Sequence, residues 1–174
     1  QPAVPATTPP QPDAAARALD AARAAGIPAI LDADVAARPV LERLIPRATH
    51  VAAARPAAAI LFGDLPIEAA TARLAAICDA TVIVTDGSRG TTWFDRGANA
   101  VRHVPAPQIK AVDTLSAGDI FHGALALAIA EDRPLVEAIR HASAAAAIKC
   151  MRFGGRLGAP TRAETLAFLK EWTS

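Results

Sequence analysis

Asp113-Thr114-Leu115-Ser116-Ala117-Gly118-Asp119-Ile120-Phe121-His122-Gly123-Ala124 joins a strand-like run to a long Ala/Leu-rich helix through small residues, with an acid at each side of the junction. A tight turn of small residues at a helix start points backbone N–H groups into open space, where an anion can sit. Asp119 falls in the first turn of that helix, at the rim of the nest. A carboxylate there repels a bound phosphate unless it has a task of its own. The obvious task is to take a proton from a hydroxyl attacking that phosphate. The plainer reading of Asp119 is an acid that complements the helix dipole.

Outward from this junction, the chain alternates strands and helices. Thr81-Val82-Ile83-Val84-Thr85 is β-branched throughout and is the best strand in the sequence. It runs into a turn at Asp86-Gly87-Ser88-Arg89-Gly90. Thr91 to Phe94 and Ala100 to Val104 form two further strands, with turn residues Asp95 to Asn99 between them. Toward the N-terminus, Asp13 is placed to cap a helix over Ala14 to Ala25, stopped by Gly26. Its stripe of Ala15, Ala16, Leu19 and Ala22 is narrow. Ile27 to Leu31 predicts a short buried strand ending at Asp32 and Asp34, and Val35 to Leu44 a second helix with Asp34 as its cap. His50 to Ala54 predicts a strand, Pro56 to Phe62 a helix closed by Gly63, and Pro66 to Ile77 another helix. After the junction, helices are expected over Ala117 to Glu131, Leu135 to Met151 and Arg162 to Trp172, with a loop at Gly154 to Gly158. The order implies an α/β layered fold with a largely parallel central sheet flanked by helices. Ligands of such sheets bind at the carboxyl ends of the strands. Asp32, Asp34, Thr85 to Gly87 and Asp113 to Asp119 all fall at or just after strand ends.

The 174 residues suffice for a domain with a real core, and 52% hydrophobic content with a net charge of +1 excludes disorder and a nucleic-acid footprint. The two cysteines, Cys78 and Cys150, have no metal-ligand spacing and suit a reducing cytoplasm. His50, His103, His122 and His141 show no ligand spacing either. No apolar run is long enough to span a bilayer, so no membrane partner is expected. Residues 1–12 are rich in Pro, Thr and Ala and predict an extended or disordered lead, a linker rather than a signal peptide. Residues 13–174 make up the domain.

Asp113-Thr114-Leu115-Ser116-Ala117-Gly118-Asp119 resembles the second signature of the ribokinase or PfkB carbohydrate kinase family, whose core usually reads Gly-Ala-Gly-Asp. Phe121-His122-Gly123-Ala124-Leu125 fits the helix that follows it. Thr85-Asp86-Gly87-Ser88-Arg89-Gly90 resembles the family's nucleotide loop, Thr-x-Gly-x-x-Gly, and Val104-Pro105-Ala106-Pro107 fits as well. The order and spacing of these motifs make the match specific. It covers roughly Asp13 to Trp172 and corresponds to the family's C-terminal half, with the N-terminal half absent. Ile148-Lys149-Cys150 is closer in feel to ketose kinases.

The resemblance implies an ATP-dependent sugar kinase. Asp119 would be the catalytic base. The N–H groups of Ala117, Gly118 and Asp119 would form the anion hole. Thr85 and Gly87 would hold the ATP phosphates and ribose edge. Asp113 would match a monovalent-cation site, for potassium, although an acid capping its own turn reads equally well. Ser116 stands where the family more often has Gly. Serine lacks easy access to φ > 0, which predicts a tighter turn or one that does not need that angle. The family's Asn-x-x-Glu motif is replaced by Ala52-Ala53-Ala54-Arg55-Pro56-Ala57-Ala58-Ala59, so magnesium would be held mainly by ATP oxygens and water. Asp32 and Asp34 read as structural first. If half of the sheet is absent, an open strand edge favours a homo-oligomer. Two other functions stay open: a non-catalytic nucleotide-binding half-kinase, and a hydroxymethylpyrimidine or nucleoside kinase of the same fold.

Overall fold

The computed structural model describes residues 12–172, so the expected Pro-rich lead lies outside the described residues except for Pro12, which opens the first helix. Two compact units divide at Val84 and Thr85. The strands form one mixed five-stranded sheet in the order β1-β2-β3-β4-β5, where β1 is Ile30–Ala33, β2 His50–Ala54, β3 Thr81–Thr85, β4 Thr91–Asp95 and β5 Ala100–Val104. The fold is the layered α/β arrangement that the alternation predicts.

In the first unit the helices are α1 (Pro12–Ala24), α2 (Arg38–Leu44), α3 (Arg55–Phe62) and α4 (Ile67–Ala76). β1 and β2 pair in parallel, with Ile30 opposite His50 and Ala33 opposite Ala53. A parallel pair needs a crossover, and α2 supplies it. Val51, Ala52, Ala53, Val82, Ile83 and Val84 are all buried, the continuous apolar run of strands covered on both faces. Leu61 on α3 and Leu74 on α4 are buried too, each contributing on the order of 1.5–3 kcal/mol.

Three local expectations are corrected here. The first strand begins at Ile30, not Ile27. The Ile27 N–H donates to the Ala22 carbonyl at 2.9 Å and so closes α1, while Pro28 has no N–H to give a ladder. The second helix begins at Arg38, not Val35, because the Pro39 ring would clash with the Val35 carbonyl were the helix extended backward. Asp34 therefore does not cap it: Asp34 Oδ1 accepts the Val35 N–H at 2.7 Å, and Ala37 holds the cap position.

In the second unit, β4 and β5 form a hairpin with Thr91 opposite Val104 and Asp95 opposite Ala100. Asp95 Oδ1 accepts the Ala98 N–H at 3.1 Å and shapes the turn. Helices α5 (Ala117–Ala130), α6 (Leu135–Cys150) and α7 (Arg162–Glu171) follow. α5 lies against α6, burying Phe121, Leu125 and Ala128 with Ala138, Ile139, Ala142 and Ala145. Alanines along α6 let the two helices approach closely. α7 starts with a capping box between Thr161 and Glu164. The expected loop at Gly154 to Gly158 contains a short 3-10 turn over Gly155–Gly158. No helix among the described residues is long and apolar enough to cross a membrane.

Candidate active site

All the geometry that follows lies within the second unit. The junction turn is made by Ser116, which takes the left-handed conformation at φ 61, ψ 15. The turn does need the angle that serine reaches with difficulty, at a cost of about 1–2 kcal/mol. With Ser116 so placed, the Ala117 N–H folds back to the Thr114 carbonyl at 3.1 Å and the Ile120 N–H reaches the Ser116 carbonyl at 3.0 Å. The hole expected from three N–H groups thus has Ala117 already engaged. Among the described residues, the Gly118 and Asp119 N–H groups have no backbone acceptor. These are the orphan donors of a helix start.

Gly118 sits where a Cβ would meet nothing within 4 Å. Glycine weakens a helix, and here no protein atom requires it. Gly118 and Ala117 instead form part of the wall of a cavity of about 330 Å3, together with Thr85, Gly87, Ser88, Gly90 and Thr114. That size is at the lower end of the range for small-molecule sites. The two motifs expected to meet, Thr85 with Gly87 and Ala117 with Gly118, do line one space. The opposite walls come from Ala106 to Ile109, from Phe121 and His122 on α5, and from Ala146, Ala147 and Cys150 on α6. None of those residues was expected to line the site, although Ala106, Pro107, Phe121, His122 and Cys150 lie in stretches that carry the family resemblance. For Phe121 and His122 a signal existed, since they follow Ala117 and Gly118 by one helical turn and share their face.

Gly90 closes the loop that carries Gly87. At φ 101, a Cβ on Gly90 would lie 2.3 Å from the Val104 carbonyl oxygen. Here the protein itself demands glycine. The Asp86 N–H donates to the Gly90 carbonyl at 2.8 Å, and Asp86 pairs with Arg89 at 2.6 Å, fixing the loop at the end of β3.

Asp119 is exposed, and its carboxylate makes no hydrogen bond or ion pair with the described residues. It follows Gly118 directly without itself lining the cavity. Asp113, at the other side of the turn, holds four partners. Its Oδ1 accepts the Leu115 N–H at 2.9 Å; its Oδ2 accepts the N–H groups of Gly154 at 3.1 Å and Gly155 at 3.2 Å. Lys149 Nζ lies 3.0 Å from the same Oδ2 and donates to the Asp113 carbonyl at 2.6 Å. The Leu115 and Gly155 amides, then the Lys149 ammonium, hold the Asp113 carboxyl well below the usual carboxylate range.

Sequence reading overlooked Lys149 as a site residue. It lies four residues beyond Ala145 and seven beyond Ala142, on the buried stripe of α6, and a lysine in such a stripe calls for a partner. Asp32 lies within β1 and Asp34 just after it, both in the first unit. Among the described residues no group of three His, Cys, Asp or Glu side chains could hold a metal ion.

The sequence model described as pfkB family carbohydrate kinase matches residues 6–162. The chain belongs to this family. Ribokinase of Bacillus subtilis (strain 168) is 36% identical over 138 residues, which is 79% of this chain and 45% of that protein. Among solved structures, a candidate ribokinase from Agrobacterium tumefaciens matches with a TM-score of 0.89 and 45% identity, covering 92% of this chain and 53% of that one. Arabidopsis thaliana ribokinase, solved with ribose and ATP, matches with a TM-score of 0.79 and 26% identity, covering 91% and 53%. This pfkB-family chain therefore spans about half the length of the relatives it matches.

Proposed function

We propose that this chain carries the ATP-binding and proton-accepting side of an ATP-dependent sugar kinase. The observation that carries the reading is the open space at Gly118, in the wall of the cavity that Thr85 and Gly87 share, with the uncommitted carboxylate of Asp119 next in the chain. The apolar wall of Pro107, Ile109, Phe121 and Ala147 suits a flat base. Thr85 and Gly87 would receive the ribose and phosphates, and the free N–H groups of Gly118 and Asp119 would meet the transferring phosphoryl oxygens. Donors fixed before the reaction stabilise the charge that spreads over those oxygens.

In the proposed reaction Asp119 takes the proton of a sugar hydroxyl. That oxygen forms a bond to the γ-phosphorus, the bond from the γ-phosphorus to the bridging oxygen breaks, and ADP leaves with the bond pair. Magnesium, when bound, would offset phosphate charge. With no cluster of acids among the described residues to hold it, ATP oxygens and water would be its ligands. The solved Arabidopsis relative with ribose and ATP supports a nucleotide and a sugar as the substrate classes. A fructokinase of Zea mays, 34% identical over 97 residues, keeps the sugar open.

Titration calorimetry of the folded chain with ATP and magnesium tests the nucleotide half of the proposal. Saturable heat is expected. No heat at millimolar ATP, in a sample with a cooperative melt, overturns it.

A further inference from the structure

Lys149 is the largest fully buried side chain among the described residues, and it ends at the junction turn. Its Nζ stands 2.6 Å from the Asp113 carbonyl oxygen and 3.0 Å from Asp113 Oδ2. It thereby gathers main-chain and side-chain oxygens of one residue around a single positive charge, as a monovalent metal ion would. The other acceptors nearby are spoken for. Of the two carboxylate oxygens of Asp113, Oδ2 is crowded by Lys149 and the N–H groups of Gly154 and Gly155, and Oδ1 takes the Leu115 N–H. The Cys150 carbonyl takes the N–H groups of Val112 at 2.7 Å and Asp113 at 3.1 Å, filling both of its lone pairs. A potassium ion, which family resemblance implies at Asp113, does not fit this donor set. It would have to displace an ammonium held in a wholly buried position, and it would find mostly N–H groups where it needs oxygens.

We propose that the Lys149 ammonium is a built-in cation that takes the place of potassium beside the anion turn, so that this chain sets the turn without any monovalent ion. The stem of Lys149 passes under Gly158, where a Cβ would come 3.7 Å from its Cε. The same charge draws in the Gly154–Gly155 segment, because both amides share the oxygen that Lys149 binds. One lysine thus ties α6, the 3-10 turn and the start of the junction together.

Thermal melts of the chain without nucleotide test this independently of the kinase reading. Chloride salts of potassium, sodium and tetramethylammonium are compared at constant ionic strength. The unaltered chain is expected to melt at one temperature in all three; a rise specific to potassium overturns the proposal. Lys149→Ala removes the charge and leaves room at the Asp113 oxygens. Its melting temperature should fall by roughly 6–20 °C and then become higher in potassium than in tetramethylammonium. A variant as indifferent to the ion as the parent overturns the proposal. Should Lys149→Ala fail to fold, the salt series on the parent chain still decides. A missing ATP heat in every salt would count against the kinase reading and leave this one intact.

Discussion

Asp113 and Asp119 sit six residues apart on one turn in opposite circumstances. Asp113 is met by three backbone N–H donors and the ammonium of a buried lysine, with its carboxyl held in the ionised form. Asp119 is exposed and without a partner among the described residues. A carboxylate that already holds four donors has little left to offer a substrate; its chemistry is spent on holding the backbone. A carboxylate with free lone pairs beside two orphan N–H groups is available to take a proton. Position in the motif does not separate these two acids, whereas their surroundings do.

The sharpest way to break the contrast is to replace Asp119 with an isostere. Asp119→Asn keeps the shape but cannot accept a proton. In a phosphoryl-transfer assay kcat should fall about 10²–10⁴-fold. ATP affinity should hold or rise slightly, since a negative charge near the γ-phosphate is removed. The melting temperature should fall by no more than about 1–4 °C, because no protein contact is lost and only the favourable charge at the helix start is removed. Turnover near that of the parent would make Asp119 only a helix-terminal acid.

Much of this contrast could be read in advance on one side and little on the other. β3 is read residue for residue, because five β-branched side chains in a row leave no competing period. The Asp119 side of the turn is local as well: small residues, a helix start and an acid lie within four positions. The Asp113 side is not local. Its cation comes from 36 residues away and two of its amides from 41 and 42 residues away. No spacing rule reports such distances, so a structural cap and an ion site looked alike in the sequence. The cavity was half legible for the same reason. Thr85, Gly87 and Gly118 belong to motifs, but the rest of the wall joins the segment after β5, Ala106 to Ile109, to Ala146, Ala147 and Cys150 on α6, and only tertiary packing brings those together. The two misplaced starts in the first unit, at Ile27 and Val35, trace to prolines at 28 and 39, where the missing N–H and the ring outweigh the apolar pattern.

Acid sharpens the comparison from the Asp113 side. Its folded-state carboxyl ionises well below the usual value near 4 because of the Leu115 and Gly155 amides and Lys149. A depressed folded value means stability that is fully present above the unfolded value and is lost as pH falls through the folded one. Glu164 adds to the same limb, pushed down to about 2 by Arg152 and by Thr161. Asp113→Asn should therefore melt lower than the parent at neutral pH. The gap should narrow as pH is taken from about 4 downward, as the parent loses what the variant never had. A gap that stays constant down to pH 2 would show that the Asp113 charge plays no part in holding the turn.

The smallest effects separate the two sides most cleanly, because they have opposite signs. Each side has its own glycine. Gly155, on the Asp113 side, has φ +56, and a Cβ there would lie 3.3 Å from Leu115 Cδ2. Gly155→Ala must hold an L-residue in the left-handed region against that contact, a loss of about 1–2 kcal/mol. Gly118, on the Asp119 side, has neither restriction, as its Cβ would enter open space. Gly118→Ala restricts the unfolded chain at no cost to the folded one and should stabilise by about 0.4–1 kcal/mol. The added methyl would stand in the cavity wall, where the phosphoryl oxygens are proposed to approach. Crowding of that kind typically costs about 1–3 kcal/mol, so ATP should bind roughly 5- to 150-fold more weakly. A chain that melts higher and binds ATP worse would show that the protein keeps Gly118 for its ligand. Unchanged ATP affinity in a stabilised Gly118→Ala chain would move the phosphates elsewhere, and Asp119 would lose its place beside the reacting oxygen.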